Sequence, residues 1–395
     1  MTDLQNRLAG LSPEKRRLLE LRMQMQRAQA AGPVLAPRPR GGAPLPLSFS
    51  QQRLWVLDRL DPGSTAFNLM RPLRLRGVLD VAALERALDV LRARHESLRT
   101  TFADGADGVP VQVIHPFAPA PLPVEDLSAL ADEARERAVH ERVHADAGTG
   151  FDLVAGPLFR ARLLRLRRDE HVLLLAIHHV IADGWSLGIL ARELSALYAA
   201  FQAGAPDPLA PLPVQYADYA LWQREHLAGA TLEKQRAFWR GALAGAPPAL
   251  ELPTDAPRPP SESHRGRVWR DRMEPELARR VRALAAEEGT TPFTVLLAGL
   301  RAVLARWSGQ EDVVIGAPVA GRGRTEVEGL IGFFVNTLPL RGSVRADDTF
   351  RALLRREKEA SLAAIDHQDL PCEHLVEELR IPRDLSRNPG FQVSL

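Results

Sequence analysis

Nine consecutive residues, 178–186 (HHVIADGWS), combine side chains that could move a proton and stabilise an anion. His178 and His179 are adjacent, Asp183 follows four residues after the second histidine, and Gly184 comes next. Histidine exchanges a proton near neutral pH, an aspartate can orient or balance a positive partner, and a glycine lets a substrate approach a backbone N–H closely. This pattern predicts acyl transfer, in which His179 accepts or steers the proton of an amine or hydroxyl that attacks a carbonyl.

The flanking residues predict a strand that ends at the histidines and a helix that follows them. The apolar run 172–177 is typical of a buried strand, and side chains alternate along a strand, so His178 and His179 should point to opposite sides. A helix is predicted after Gly184 because apolar residues recur at steps of three and four: Leu187, Leu190, Leu194, Leu197 and Phe201. The N–H groups and the dipole at its start could help stabilise an oxyanion.

Each of these residues also has a structural alternative. A histidine at the end of a strand is often structural, and a pair of histidines could bind a metal. Metal binding needs a third ligand, however, and the chain has no HExxH motif or cysteine cluster, so we predict no metal site. Asp183 could cap the following helix or balance a buried arginine.

The rest of the chain mixes helical and strand patterns, which predicts an α/β (α+β) fold. An amphipathic helix is predicted at 12–31, and the proline- and glycine-rich segment 32–46 should be a connector outside the core. Residues 321–329 should form a charged, mobile-looking loop. Further helices are predicted at 80–95, 275–288, 292–307 and 349–367, and further strands at 109–114, 158–166, 171–177, 266–273 and 312–316.

Composition argues against nucleic-acid-binding, disulfide-rich, membrane-spanning and secreted proteins. The 395 residues are enough for two domains. A net charge of +2 and the lack of a recognised motif argue against a nucleic-acid partner. The single cysteine, Cys372, excludes an internal disulfide. A chain without disulfides is typical of the reducing cytoplasm, which is the compartment that we expect. We expect no membrane span, because no apolar run reaches 18 residues. We expect no secretion signal, because the first 30 residues are polar and charged and lack the apolar core of such a signal.

The HHxxxDG motif resembles the signature of the condensation domains of nonribosomal peptide synthetases. Other acyltransferases that use coenzyme A carry HxxxDG, but six more segments resemble motifs of the condensation family and occur in the family's order. They are 48–55 (SFSQQRLW), 94–102 (RHESLRTTF), 216–222 (YADYALW), 331–341 (IGFFVNTLPLR), 367–373 (HQDLPCE) and 383–389 (RDLSRNP).

The resemblance implies two chloramphenicol-acetyltransferase-like subdomains that form a V with a central tunnel. Residues 1–43 would be an N-terminal helix and linker, 44–210 the N-terminal subdomain with the HHxxxDG motif, and 211–395 the C-terminal subdomain. The family usually continues for some tens of residues, so we expect the C-terminal subdomain to be incomplete here.

The implied reaction joins a donor acyl or peptidyl thioester to the amine of an acceptor aminoacyl thioester. Both thioesters are held on phosphopantetheine arms of peptidyl carrier domains, so the chain should carry no covalent cofactor of its own. An adenylation domain should lie next to it in the full polypeptide. Segment 48–55 and Leu338 favour a condensing domain with an L-configured donor. The alternatives are a starter domain that N-acylates the first amino acid with a fatty acyl group, and a non-catalytic platform that recruits a carrier or an enzyme.

The resemblance also implies roles for single residues. The family's principal active-site histidine falls on His179, either as a general base or in positioning, and His178 is expected to be structural. The family's structural aspartate falls on Asp183, which should pair with an arginine of the second motif, Arg99 rather than Arg94.

Four further residues complete the predicted site. Gly184 should keep the helix start open to substrate, and Trp185 and Ser186 could line that opening. Asn336 falls on a position that resembles a functional residue of the tunnel, although a turn-forming or packing role is also open.

Overall fold

The computed structural model describes residues 33–41, 44–261, 266–379, 384 and 386–395. Its elements divide into two compact units. We call residues 35–225 with 320–335 the histidine unit, and residues 226–319 with 336–395 the second unit. The helix predicted at 12–31 lies outside the described residues. The predicted domains, with a boundary at 210 and 211, and the predicted V with its tunnel stay predictions.

The strands of the histidine unit are β1 (Leu45–Pro46), β2 (Asn68–Arg76), β3 (Thr100–Asp104), β4 (Pro110–Ile114), β5 (Val124–Asp126), β6 (Phe159–Arg167) and β7 (Glu170–His178). They form two sheets in this unit, with strand orders β2-β7-β6-β5 and β1-β4-β3. Its helices are α1 (Phe49–Leu60), α2 (Val81–Arg94), α3 (Asp132–Ala147), α4 (Gly184–Gln202) and α5 (Tyr216–His226). The β5–β6 pair is parallel, and the other pairs are antiparallel.

β7 is the strand that ends at the histidines. It lies between β2 and β6, and every residue after Glu170 is buried, which explains its unbroken apolar sequence. Asn68 of β2 is the register partner of His178. The predicted leucine stripe of α4 and the apolar face of α2 join one core with β7, and each fully buried leucine contributes about 1.5–3 kcal/mol. This packing fixes the position of the turn between β7 and α4.

The second unit combines a two-stranded antiparallel sheet with helices. The strands are β8 (Asp312–Val319) and β9 (Asn336–Ser343). The helices are α6 (Gly229–Leu243), α7 (Pro275–Glu287), α8 (Pro292–Ser308), α9 (Phe350–Ile365) and α10 (Cys372–Glu378). α8 packs against α7 and α9, and the buried Arg301 of α8 pairs with Glu357 of α9 and donates to Leu340 O of β9 at 3.1 Å.

Most predicted elements are found with ends within three residues of the predicted ones, but the strand predicted at 266–273 is wrong. Residues 266–273 are irregular and exposed, and Trp269 is 86% exposed. The apolar residues Val268 and Trp269 are adjacent, so they cannot share one face of a strand. The connector predicted at 32–46 does not lie wholly outside the core. Its residue Leu35 is buried with Val214 and Tyr216 in a core cluster of the histidine unit.

Candidate functional site

The turn between β7 and α4 places the two histidines in different surroundings. His178 is the last residue of β7, and His179 opens a single 3-10 turn, His179–Ile181. The His179 N–H donates to Phe67 O at 2.9 Å, which ties this turn to the chain just before β2. Asp183 then caps α4.

The His178 side chain is held inside the fold. It is buried, its ring lies edge-on to Phe67 and Phe151, and its Nδ1 accepts a hydrogen bond from the Val180 N–H at 3.2 Å. Burial, with a smaller contribution from the neighbouring His179, lowers the pKa of His178 to about 4. The ring is therefore neutral at pH 7 and shapes the turn that carries His179.

This lowered pKa predicts how stability depends on pH. The unfolded chain takes up a proton at His178 near pH 6.5, but the folded chain takes it up only near pH 4, so stability falls as the pH drops through this window. The loss should reach about 3 kcal/mol. Urea unfolding of His178→Asn at pH 7 and pH 4 should show a correspondingly smaller loss than the parent chain. His140→Asn, which changes an exposed histidine of α3, is the control. Equal pH dependence in both variants would contradict the prediction.

His179 has the properties of a proton acceptor. Its ring is half-buried and packs edge-on against Phe333, with 4.6 Å between ring centroids. Burial lowers the pKa of His179, while the nearby carbonyl groups of His179 and Ala182 and the charge of Asp183 oppose this shift. No described residue completes a regular hydrogen bond with its buried Nδ1. The imidazole is thus neutral at pH 7 and can accept a proton.

Asp183 both caps a helix and balances a buried arginine, so the two alternatives for this residue are compatible. It is fully buried. Its Oδ1 accepts the Ser186 N–H at 2.8 Å, and its Oδ2 accepts the Phe334 N–H at 3.1 Å. Arg322 Nη2 lies 3.1 Å from Oδ1 and 3.4 Å from Oδ2. These donors occupy both oxygens of the Asp183 carboxylate.

The predicted pairing of Asp183 with Arg99 is wrong, and so is the alternative with Arg94. Arg99 is the last residue of a short 3-10 helix, Glu96–Arg99, and donates to His115 O. Arg94, at the end of α2, pairs with Glu193 at 3.2 Å. The local backbone around these two arginines directs both side chains to other partners.

Arg322 is the partner of Asp183 that the sequence patterns did not identify. It lies in the segment predicted as a mobile-looking loop, yet it is buried and donates to Val327 O at 2.6 Å and Leu330 O at 2.8 Å. Its guanidinium also covers the Phe334 ring at 4.0 Å. Burial lowers the pKa of Arg322, and Asp183 opposes this shift. The sequence offered one signal that this segment is ordered, which is the glycine before Arg322. Gly321 has a φ of +63°, a conformation that residues with a side chain rarely adopt.

Ser186 belongs to this buried network and does not line the predicted opening. Its hydroxyl lies 2.7 Å from Asp183 Oδ1 and 2.9 Å from Gly332 O, and it accepts from Arg322 Nη2 at 2.9 Å. These contacts join the start of α4 to the segment that carries Phe333. Tyr216 supports the same segment, because its buried hydroxyl donates to Phe333 O at 2.5 Å.

Gly184 and Trp185 form the open side of the helix start. Both are exposed, and a Cβ added to Gly184 would meet no atom within 4 Å. The indole N–H of Trp185 donates to Glu328 O at 3.1 Å. Asp183 accepts the Ser186 N–H, whereas the first N–H groups of a helix have no partner within the helix. The N–H groups of Gly184 and Trp185 are therefore the ones that could face a substrate oxygen.

The Asn336 side chain makes three hydrogen bonds to backbone groups of the second unit. Its amide Nδ2 donates to Gln368 O at 2.9 Å and Leu370 O at 2.8 Å, and its Oδ1 accepts the Cys372 N–H at 3.1 Å. The side chain thus fastens the start of β9 to the turn before α10. These bonds occupy its polar atoms, which favours the packing alternative.

Metal-ligating clusters and membrane-spanning helices are both absent from the described part of the chain. No group of three histidine, cysteine, aspartate or glutamate side chains there could hold a metal ion. No helix there is long and apolar enough to cross a membrane.

Comparisons with known proteins agree on one family. The family model described as Condensation domain matches residues 43–395. The linear gramicidin synthase of Brevibacillus parabrevis includes a polypeptide that is 51% identical over 351 residues, which cover 89% of this chain and 7% of that polypeptide. The chain therefore corresponds to a small part of this relative.

Two solved structures are also similar. The X-domain from teicoplanin biosynthesis, in complex with OxyB, is 34% identical, with a TM-score of 0.82 and coverage of 92% of this chain and 79% of that chain. The first condensation domain of the calcium-dependent antibiotic synthetase is 27% identical, with a TM-score of 0.71 and coverage of 86% of this chain and 78% of that chain.

Proposed function

Because this chain belongs to the condensation-domain family, we propose that it forms an amide bond between two carrier-bound substrates. The amine of an acceptor aminoacyl thioester attacks the carbonyl carbon of a donor acyl or peptidyl thioester. A C–N bond forms, the C–S bond breaks, and the donor thiol leaves with the proton that the amine gives up. The arms that hold both thioesters are the phosphopantetheine groups of partner carrier domains, and a neighbouring adenylation domain supplies activated amino acids.

The observation that carries this proposal is a neutral, half-buried His179 one turn before an open helix start. A neutral imidazole can accept the proton of the attacking amine and return it to the leaving thiolate. The edge contact with Phe333 holds the plane of the ring. His178, Asp183, Ser186 and Arg322 act through position, because each is buried and bonded within the turn or the network.

The helix start is the second part of the mechanism. The oxygen of the donor carbonyl becomes negative as the amine attacks, and backbone N–H groups aimed at such an oxygen lower the barrier. The N–H groups of Gly184 and Trp185 and the positive end of the α4 dipole can supply this stabilisation. Gly184 matters because the absence of a side chain leaves the space above its N–H open.

Gly184→Val should therefore lower kcat/KM for amide formation by about 10²-fold, because the added side chain displaces the carbonyl from the N–H groups. The fold should persist, since a Cβ at this position meets no atom within 4 Å. Gly188→Val, at an exposed position one turn later on α4, is the matched control and should retain activity. Equal rates for the two variants would remove Gly184 from the mechanism.

The donor is proposed to be an L-configured aminoacyl or peptidyl group. This choice rests on segment 48–55 and Leu338, the residues that resemble the condensing type. A starter domain would instead consume a fatty acyl thioester.

A recruitment platform is the second candidate function. The specific observation in its favour is the similarity to the teicoplanin X-domain, whose structure is a complex with OxyB. The His179 turn and the Asp183 network, with their neutral histidine and open helix start, favour catalysis instead.

A reconstituted transfer assay tests these alternatives. The 395-residue chain is mixed with an acceptor carrier loaded with an amino acid and a donor carrier loaded in turn with an L-aminoacyl, D-aminoacyl or fatty acyl group. Intact-protein mass spectrometry should show the L-aminoacyl mass moving from the donor to the acceptor. Faster transfer of the fatty acyl group would identify a starter domain, and faster transfer of the D-aminoacyl group would reject the L-donor assignment. Carrier binding without transfer of any donor would favour the platform.

A further inference from the structure

A cavity of the histidine unit lies between the start of β3, the segment after β4 and the faces of β6 and β7. Its volume is about 620 Å³, within the range of cavities that hold small molecules. None of the residues from His178 to Ser186 lines it. The cavity is therefore a separate site from the His179 turn.

Four arginines line this cavity, whereas Asp146 supplies the one carboxylate among its described lining residues. Asp146 pairs with Arg162 at 3.4 Å. A further arginine, Arg92, pairs with Asp89 outside the lining and donates to Ala120 O. Two guanidinium groups, those of Arg99 and Arg160, remain to be balanced.

Arg99 has almost no local counter-charge. Its nearest carboxylate is Glu96, at 4.0 Å from Nη2, and that carboxylate already pairs with Arg40 at 2.9 Å. Its Nε is buried without a hydrogen-bond partner among the described residues. Its Nη1 donates to His115 O, a neutral acceptor that does not balance the charge of the guanidinium.

Arg160 has no ion-pair partner within 4 Å among the described residues. Its Nη2 donates to Thr149 O at 2.8 Å, its Nη1 lies 3.4 Å from Gly150 O, and its guanidinium lies 3.8 Å over the Phe151 ring. Burial lowers the pKa of Arg160, and Arg162 adds to this while Asp146 opposes it. The charged form of Arg160 would thus gain from a bound anion.

The walls of the cavity combine these charges with apolar surface. Leu98, Phe159 and Leu174 contribute buried apolar side chains, and Phe117 lies exposed at the rim. His115 Nε2 lies 2.7 Å from Thr101 Oγ1, which fixes the ring at the cavity wall. An inorganic ion would leave this apolar surface uncovered, so the fitting ligand has an anionic group on an apolar body.

We propose that this cavity binds a phosphate monoester that carries a small apolar group, with Arg99 and Arg160 holding the phosphate. A planar guanidinium matches phosphate and carboxylate oxygens equally well. A dianionic phosphate, however, can balance both cations at once, whereas a carboxylate balances one. No chemical step is proposed at this site.

Isothermal titration calorimetry with phenyl phosphate tests the proposal. Phenyl phosphate should bind at least tenfold more tightly than inorganic phosphate or benzoate. Arg99→Gln and Arg160→Gln should each weaken it at least tenfold, whereas Arg168→Gln, at the exposed β6–β7 turn, should leave it unchanged. Equal affinity for benzoate would overturn the choice of phosphate. Absence of phenyl phosphate binding, or equal affinities in the Arg99, Arg160 and Arg168 variants, would overturn the site.

Two further variants distinguish loss of the binding site from misfolding and from an effect on the His179 turn. Ala118→Trp fills the exposed rim and removes no charge, so it should weaken binding even where an arginine variant fails to fold. Unchanged affinity in this variant would contradict a ligand inside the cavity. His179→Ala should leave the affinity for phenyl phosphate unchanged, which separates this site from amide formation. A loss of binding in His179→Ala would overturn the proposal of a separate site.

Discussion

His179→Ala is expected to lower kcat for amide formation by about 10²- to 10⁴-fold, the range for loss of a general base. The KM values of both carriers should change little, because the carriers contact the domain through more than this side chain. The fold should remain intact, since no described residue makes a regular hydrogen bond with the ring Nδ1. The measurement is single-turnover transfer from a loaded donor carrier, followed by mass spectrometry.

His140→Ala is the matched control, because it removes an exposed histidine of α3. It should transfer at the rate of the parent chain. The pH profile of kcat gives a second readout. Only the neutral ring accepts a proton, so activity should fall as the pH drops through a pKa below the usual 6.5 of histidine. Full activity in His179→Ala would contradict the assigned role, and an acid limb above pH 6.5 would contradict the buried, neutral state.

The parts of the fold that could be predicted are those determined by local periodicity. The buried run of β7 and the leucine stripe of α4 each form a pattern of neighbouring residues, and both elements occur where the patterns place them. The turn between them could be predicted from neighbouring residues too, since an aspartate just before a helix is a common N-cap. The candidate histidines could therefore be placed before the tertiary structure was known.

The partner of Asp183 could not be predicted in this way. Arg322 is 139 residues further along the chain, and its segment carries charges and glycines that are typical of an exposed loop. Only its contacts with Val327 O, Leu330 O and Phe334 make it a buried residue. Local sequence is also ambiguous at 266–273, where apolar residues are present but do not alternate.

Arg322→Ala is expected to destabilise the chain by about 3–5 kcal/mol, because it leaves Asp183 as an uncompensated charge in the interior. Asp183 is fully buried, so water cannot replace the lost guanidinium. The carbonyl groups of Val327 and Leu330 would lose their donor as well. Urea unfolding at pH 7 measures the loss. Transfer activity should fall too, through a lower kcat, because the network links the start of α4 to the segment that carries Phe333.

Arg99→Ala provides the matched control, since the family resemblance assigned the pairing to Arg99. A double-mutant cycle with Asp183→Asn isolates the energy of each pair. Coupling of Asp183 with Arg322 should be about 1–3 kcal/mol, whereas coupling with Arg99 should stay within about 0.5 kcal/mol. Strong coupling with Arg99 and none with Arg322 would restore the original assignment. The observed contacts favour Arg322, because Asp183 can gain a guanidinium, a helix cap and the Phe334 N–H together only when residues 320–335 pack against the start of α4.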